Sequence, residues 1–504
     1  MNIHDAPIQS KMELFGILNL LPVQKIIIEK ILTEQAVLAV LPTGSGKSLC
    51  FQIPALLLPN FTVVITPLTS LGEDQVTSLN SCGIEAVVLH SGLSIEAETI
   101  NKSKLRSGVC KIVYMSPERF NKNDLEDIKS RISLLVVDEC HCIGQWQVFR
   151  PEYTHIMKSI KKWSVQKIFL CSATLRNDSI THIKKSFKIL DSNIIHRSPL
   201  RDNFFFYPYL YSKDTSVSVL EWKTNMMKRW LKEDTGGDIM VMCQTRNECE
   251  CWCTWFIAYD QTAFAYHSGY NMEWKKKVTL IFKNSNSYRT VMVCTTSFGM
   301  GIDKKDIRFV YHVSIPFSLE SYIQHTGRGG RDNKRCICRV MVHREDRDAA
   351  ERIVSKGTLQ NPIYQVKNVL RNTLCKSTPV LIKLLKWLED RNIIRLKGTV
   401  IQNRKENKTR KKVRTQKMLS YETILNGESI DDMSEKYGTL FMEHENDINT
   451  TCVARVHEVY DFLSLSGRIC WFKVIDEVFG NEDKKSRVVC LGKCPCCRAN
   501  TITF

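Results

Sequence analysis

The chain has 504 residues, 43% of them hydrophobic, enough for several packed domains and roughly three by length. Its formal net charge of +18 favours a polyanionic partner, nucleic acid first, with simple solubility as the competing reading. No apolar run approaches the ~20 residues of a membrane helix, and "MNIHDAPIQSKMELFG" lacks a signal-peptide core, so an intracellular chain with mostly reduced cysteines is expected.

In chain order, short runs rich in Val and Ile end in small or polar residues: "VLAVLPTGSGKS" (37–48), "TVVITP" (62–67), "AVVLHSG" (86–92), "KIVYMSPER" (111–119), "LLVVDECH" (134–141) and "KIFLCSAT" (167–174). Such runs suit strands of a parallel sheet buried on both faces, with crossover helices between them. Ligands then sit at the carboxyl ends of the strands, where the polar tails fall. The series restarts with "DIMVMCQTRNE" (238–248), "TAFAYHSGY" (262–270), "TVMVCTTSFGMGID" (290–303) and "IRFVYHVSIP" (307–316), and "LHSGLS" at 89–94 is echoed by "YHSGYN" at 266–271. Two similar α/β domains in tandem are therefore expected, joined near "HRSPLRDNFFFYP" (196–208), where the run pattern lapses.

Beyond about residue 345 the texture changes. Residues 377–398 read as an amphipathic helix, and residues 395–417 hold ten Lys or Arg against one acid, Glu406. That basic stretch suits a solvated loop or hairpin, a DNA contact or a nuclear-import address.

"LPTGSGKS" carries the first chemistry. Gly44, Ser45 and Gly46 make a turn between strand and helix whose N–H groups can surround phosphate oxygens, beside the favourable field of the helix start. Lys47 can reach the β and γ phosphates and the Ser48 hydroxyl can ligate Mg²⁺; Leu41 stands where the strict motif has Gly. After a strand, Asp138 can hold Mg²⁺ through water, and Glu139 can orient and deprotonate the attacking water.

These residues, in this order, resemble the RecQ family of superfamily 2 DNA helicases over about residues 14–345, with a further piece near the C-terminus. "FGILNLLPVQ" (15–24), "TPLTSLGEDQ" (66–75), "SPER" (116–119), "DECH", "SAT" (172–174), "FGMGIDKKDIRFVYH" (298–312) and "YIQHTGRGGRD" (322–332) carry the resemblance. It implies a fold of two tandem RecA-like parallel-sheet domains, at 1–200 and 201–345. A mainly helical C-terminal region would follow, with a basic insert, helical or winged, at 346–450 and a zinc subdomain at 451–504.

The resemblance further implies ATP held by Gln24, Thr43 to Ser48, Gly301 and Asp303. Catalysis would fall to Lys47, Asp138, Glu139, Gln324, Arg328 and Arg331, the two arginines reaching across from the second domain. His141, Ser172 and Thr174 would couple this site to DNA, while Trp146 and Phe149 of an aromatic-rich loop would stack on bases and Arg150 stack or bind phosphate. Small residues are expected at Cys140 and Cys142 for packing rather than for metal. The zinc ligands implied are Cys470, Cys490, Cys494 and Cys497, with Cys496 as a substitute.

The chain departs from the family pattern at Leu20-Leu21 for Phe-Arg, at His325 for Glu and in an aromatic loop one residue shorter. The zinc segment is also displaced, and nothing long enough for the usual downstream winged-helix domain follows it. The expected activity is an ATP- and Mg²⁺-dependent DNA helicase or translocase moving 3′-to-5′ on single-stranded DNA. An RNA helicase or remodeller, and a zinc-containing nucleic-acid-binding adaptor with a vestigial ATPase, are the alternatives.

Overall fold

The computed structural model describes residues 5–67, 69–121, 125–141, 160, 163, 165–211, 217–285, 289–298, 304–355, 362–371, 374–376, 379–391, 393–405, 413–423, 430–464, 471–479 and 494. One compact unit comprises Met1–Asp346 with Glu458–Phe504, and a second comprises Arg347–His457.

The first unit holds two parallel sheets. Strands β1 (Ala36–Val40), β2 (Phe61–Ile65), β3 (Ala86–Leu89), β4 (Ile112–Met115), β5 (Ile132–Val137), β6 (Ile168–Ser172) and β7 (Ile194–His196) form the order β3-β4-β2-β5-β6-β1-β7. Strands β8 (Phe204–Leu210), β9 (Asp238–Met242), β10 (Thr262–Tyr266), β11 (Thr290–Cys294), β12 (Ile307–His312) and β13 (Cys336–Val342) form β10-β11-β9-β12-β13-β8. All ten expected runs are strands, and nine are buried along most of their length because crossover helices cover both faces; the edge strand β10 is buried only at Ala263 and Ala265. On one face of the first sheet, Leu38, Val63, Val113 and Leu135 share a core with Phe120 and Trp163. On the other, Val37, Val64, Ile112 and Val136 pack on the helices Pro22–Thr33 and Lys47–Leu57. This is the two-domain RecA-like fold.

The join at 196–208 is not free of structure, because it contributes the edge strands β7 and β8. Alternation hides them: β7 is three residues long, and β8 reads FFFYPYL. Pro208 is tolerated in β8 because the strand pairs on one side only, with β13, and a proline has no N–H for a second ladder. After Leu319–Thr326, the chain turns through Gly327 and Gly330 into β13. The helix Trp471–Phe479 packs its aromatic face on the second sheet, with Trp471 5.6 Å and Phe472 5.9 Å from Phe206.

In the second unit, the helix expected over 377–398 is Pro379–Asp390 and stops there. Residues 394–405 are instead strand β15, paired antiparallel with β16 (Val413–Thr423), which also pairs β14 (Leu374–Lys376). The apolar spacing through Ile393, Ile394 and Leu396 continues a helical period, and only pairing of Ile394 with Thr423 and Leu396 with Tyr421, 29 and 25 positions on, selects the strand. The C-terminal region is therefore helical with a three-stranded sheet; the basic stretch falls on the paired strands β15 and β16, and its residues 406–412 lie outside the described residues. A separate core of Val366, Leu384, Leu388 and Phe441 centres on Trp387, with Arg391 3.7 Å above its ring. Among the described residues no helix is long and apolar enough to cross a membrane.

Candidate nucleotide site between two parallel-sheet domains

The site begins where β1 ends. Gly44 (φ 80°) and Gly46 (φ 74°) take left-handed conformations that only glycine adopts without strain, and they turn the backbone into the helix beginning at Lys47. Lys47 Nζ lies 3.3 Å from the Leu41 carbonyl, folded over the loop. The Ser45 hydroxyl is buried without a hydrogen-bond partner among the described residues, as an oxygen reserved for a ligand would be. Gln24, 5% exposed, accepts from the Leu21 N–H at 2.9 Å and donates to the Ser45 carbonyl at 3.0 Å, so the segment 15–24 is tied directly to the glycine loop.

Beside this loop, β5 ends in the two carboxylates. Asp138 Oδ1 accepts from the Glu139 N–H at 2.9 Å and from the Cys171 thiol at 3.3 Å. Burial, then the charge of Glu139, raises Asp138 to about 6. Burial would also raise Glu139, but the His141 ring, Lys47 and Arg328 outweigh it and hold that carboxyl at about 2. Glu139 sits at φ 51°, a conformation unusual for a residue with a side chain and of the kind that gathers at functional sites.

His141, 2% exposed, is wired on both ring nitrogens. Nδ1 lies 2.9 Å from Ser172 Oγ and 3.2 Å from Glu139 Oε2. Ser172 gives its own proton to the Thr174 carbonyl at 2.9 Å, so it accepts from His141, and the neutral ring carries its proton on Nδ1. Nε2 then accepts from Gln324 of the second domain at 3.2 Å, and the other amide hydrogen of Gln324 reaches Thr174 Oγ1 at 3.0 Å. His141 is thus engaged as a hydrogen-bond relay, which leaves no ring nitrogen for a metal.

The second domain meets the phosphate loop itself. Thr43 Oγ1 donates to the Gly327 carbonyl at 2.7 Å, and a Cβ on Gly327 would collide with that same Thr43 oxygen. Arg331 lies against the loop, its Cγ 3.4 Å from where a Cβ on Gly44 would stand. Arg328 is buried, and burial followed by repulsion from Arg331 lowers it to about 9, with Glu139 acting the other way.

The sequence did not single out the residues that hold the arginine loop. Arg201 donates to the carbonyls of Gly327, Gly329 and Gly330, and Asn203 donates to those of Gly330 and Lys334 at 2.7 Å each. Both come from the join, whose polar residues were the available signal. Arg176, two residues past Thr174, donates bidentately to Glu458 at 2.8 Å and to the buried Glu320 at 3.3 Å, tying the first domain to helix Leu319–Thr326 and to Glu458 of the same compact unit. Gly301, Asp303, Trp146, Phe149, Arg150, Cys142, Cys470, Cys490, Cys496 and Cys497 lie outside the described residues. Of the expected zinc ligands only Cys494 is described, and it is buried; among the described residues no group of three or more His, Cys, Asp or Glu is arranged to hold a metal.

A DEAD/DEAH box helicase profile matches residues 21–183, and a helicase conserved C-terminal domain profile matches 222–333. The ATP-dependent DNA helicase RecQ of Haemophilus influenzae is 34% identical over 349 residues, which are 65% of this chain and 54% of that protein. The ATP-dependent DNA helicase Q-like 5 of Arabidopsis thaliana is 34% identical over 319 residues, 62% of this chain and 34% of that protein. The chain thus spans between a third and just over half of these relatives' length. Among solved structures, the DEAD-box helicase Mss116 bound to ssRNA aligns with a TM-score of 0.56 at 16% identity, covering 78% of this chain and 86% of its own. The Mycobacterium smegmatis helicase Lhr bound to ssDNA aligns at 0.52 and 17% identity, covering 73% of this chain and 54% of its own; both show the fold. With the phosphate loop, paired carboxylates and arginine loop in the family's order, the chain belongs, over its two RecA-like domains, to the RecQ family of superfamily 2 helicases.

Proposed function

We propose that the chain is an ATP- and Mg²⁺-dependent DNA helicase or translocase of RecQ type, moving 3′-to-5′ on single-stranded DNA. The observation that carries this reading is the meeting of two half-sites, a phosphate loop with two carboxylates on one domain and two arginines on the other.

In this reading Lys47 and the N–H groups of Gly44 to Lys47 hold the phosphates, and Gln24 orients the base beside them. Ser48 and Asp138 present oxygens of the hard type that Mg²⁺ takes, and the orphaned Ser45 hydroxyl and left-handed glycines leave a cradle for anionic oxygens. The bound cation would neutralise phosphate charge. Glu139, held ionised, accepts a proton from the attacking water, while Arg328 and Arg331 stabilise charge on the transferring phosphoryl group. Because the arginines come from the other domain, hydrolysis depends on closure, and closure cycles can ratchet a strand.

Gln324 reads closure into His141, and His141 touches Glu139. The loop that follows, with Trp146, Phe149 and Arg150, is assigned to bases and phosphate, so strand occupancy and catalysis share one segment. The four thiols at Cys470, Cys490, Cys494 and Cys497 are assigned to a structural Zn²⁺, a donor set suited to it, and no step passes through that metal.

The test is Lys47→Ala, with ATP turnover measured with and without single-stranded DNA. Turnover falls at least ~100-fold if Lys47 holds the transferring phosphate, by analogy with the loss of other charge-stabilising groups; unchanged turnover refutes the site. An RNA-directed reading draws on Mss116, whose structure is with ssRNA, and stronger stimulation by RNA than by DNA would select it.

A further inference from the structure

Cys171 is the last residue before the "SAT" segment, on β6 beside the strand that carries the carboxylates. It is 0% exposed. Its main-chain and side-chain groups engage the same short turn from one side: the carbonyl accepts from the Cys140 N–H at 2.9 Å, and the thiol donates to Asp138 Oδ1 at 3.3 Å. Between those two anchors lies Glu139 in its left-handed conformation. The residue therefore brackets the one strained position of the hydrolytic segment.

Asp138 Oδ1 has two donors, the Glu139 N–H and the Cys171 S–H. Both fix the same oxygen, which sets the rotation of the carboxylate and leaves Oδ2 without a hydrogen-bond donor among the described residues. A carboxylate that must meet an octahedral cation through water needs this kind of restraint, because Mg²⁺ tolerates little distortion of its shell. A thiol suits the position: it is small, apolar enough for a sealed site and still a donor.

We propose that Cys171 is a positioning residue for the Mg²⁺–nucleotide site, acting through Asp138 by holding Oδ1 so that Oδ2 faces the cation's shell. This rests on the nucleotide-hydrolysis reading of the site, and it concerns neither a ligand nor a nucleophile.

The test uses the full chain and a fluorescent ATP analogue titrated in excess Mg²⁺ and again in EDTA, for the native protein, Cys171→Ala and Cys171→Ser. The melting temperature of each is recorded. In Cys171→Ala the dissociation constant in Mg²⁺ rises about 3- to 10-fold, the scale of one modest hydrogen bond, while the value in EDTA is unchanged. Cys171→Ser, which keeps a donor, recovers most of the loss. Equal affinities of native protein and Cys171→Ala in Mg²⁺ overturn the proposal. So does a loss of the same size in EDTA, or a serine variant no better than alanine, since either marks a packing effect. A native protein that binds the analogue with no Mg²⁺ dependence defeats the underlying nucleotide reading instead.

Discussion

The two RecA-like domains share a plan so closely that their differences become legible. Strand for strand, β3-β4-β2-β5-β6-β1 of the first sheet corresponds to β10-β11-β9-β12-β13-β8 of the second. At equivalent strand ends stand His90 and His267. Each accepts at Nδ1 from the N–H two residues on, at 3.1 Å, and each turns Nε2 to a glutamate 17 residues upstream, Glu73 or Glu250. The echo between 89–94 and 266–271 is therefore a repeated turn. The connections that follow β5 and β12 are equivalent too, and there the domains part. After β5 come Asp138, Glu139 and His141; after β12 come Gln324, Arg328 and Arg331. One domain supplies the anionic and the other the cationic half from the same topological position. In the proposed reading neither half hydrolyses ATP alone.

The largest way to break this division is to remove a cation. Arg331→Ala or Arg328→Ala lowers DNA-stimulated kcat by about 10³-fold, as for arginines that stabilise phosphoryl transfer, while nucleotide binding to the first domain is largely kept. Loss of nucleotide affinity without loss of kcat in a steady-state series counts against it.

Next comes the wire between the halves. Gln324→Ala deletes both bonds, to His141 and to Thr174, a cost of about 1–3 kcal/mol. That corresponds to roughly a 10- to 100-fold fall in the ratio of ATPase with DNA to ATPase without it. A variant with an unchanged ratio and a lower basal rate places Gln324 in chemistry, not in coupling.

A smaller effect is expected at Arg176. Arg176→Ala removes the cation from the buried Glu320 and lowers stability by about 1–2 kcal/mol, the scale of one charge-assisted hydrogen bond from a partly exposed arginine. Adding Glu320→Gln recovers most of it, since a neutral amide tolerates burial better. A thermal-melt double-mutant cycle showing simple additivity rules out the coupling.

The mildest contrast is with pH. Burial holds His312 of the second domain at about 3. The unfolded chain binds this proton near 6.5, so stability is complete above that value and falls as pH drops from 6.5 toward 3, by at most about 1.4 kcal/mol per pH unit. His312→Gln flattens that part of a denaturant-midpoint profile. An unaltered slope shows that His312 does not set it.

How much of this was legible depended on whether the signal was local. The ten strands were readable because a strand buried on both faces is a continuous apolar run, and Gly44, Gly46, Lys47, Asp138 and Glu139 because phosphate and cation chemistry needs those residue types just after a strand. β7, β8 and β13 were not: the first is too short for a pattern, the second is aromatic and interrupted by Pro208, and the third, CICRVMV, has its apolar run broken by Arg339. The end of the helix at Asp390 was missed because Ile393 and Ile394 serve either period, and pairing of Ile394 with Thr423 made the choice. The arginines could be named from their family motif. The residues that aim them, Arg201 and Asn203, could not, since they bind backbone carbonyls more than 120 positions away.

The sequence by itself determined the strand runs, the phosphate loop, the acid pair and the arginine loop, because each is written in consecutive residues whose chemistry needs little context. Only the tertiary structure decided that Thr43 meets Gly327, that His141 is protonated on Nδ1 between Ser172 and Gln324, and that Cys171 steadies Asp138. These contacts join segments far apart in the chain. Their distances and directions exist only once both sheets have stacked their helices and brought the strand ends together.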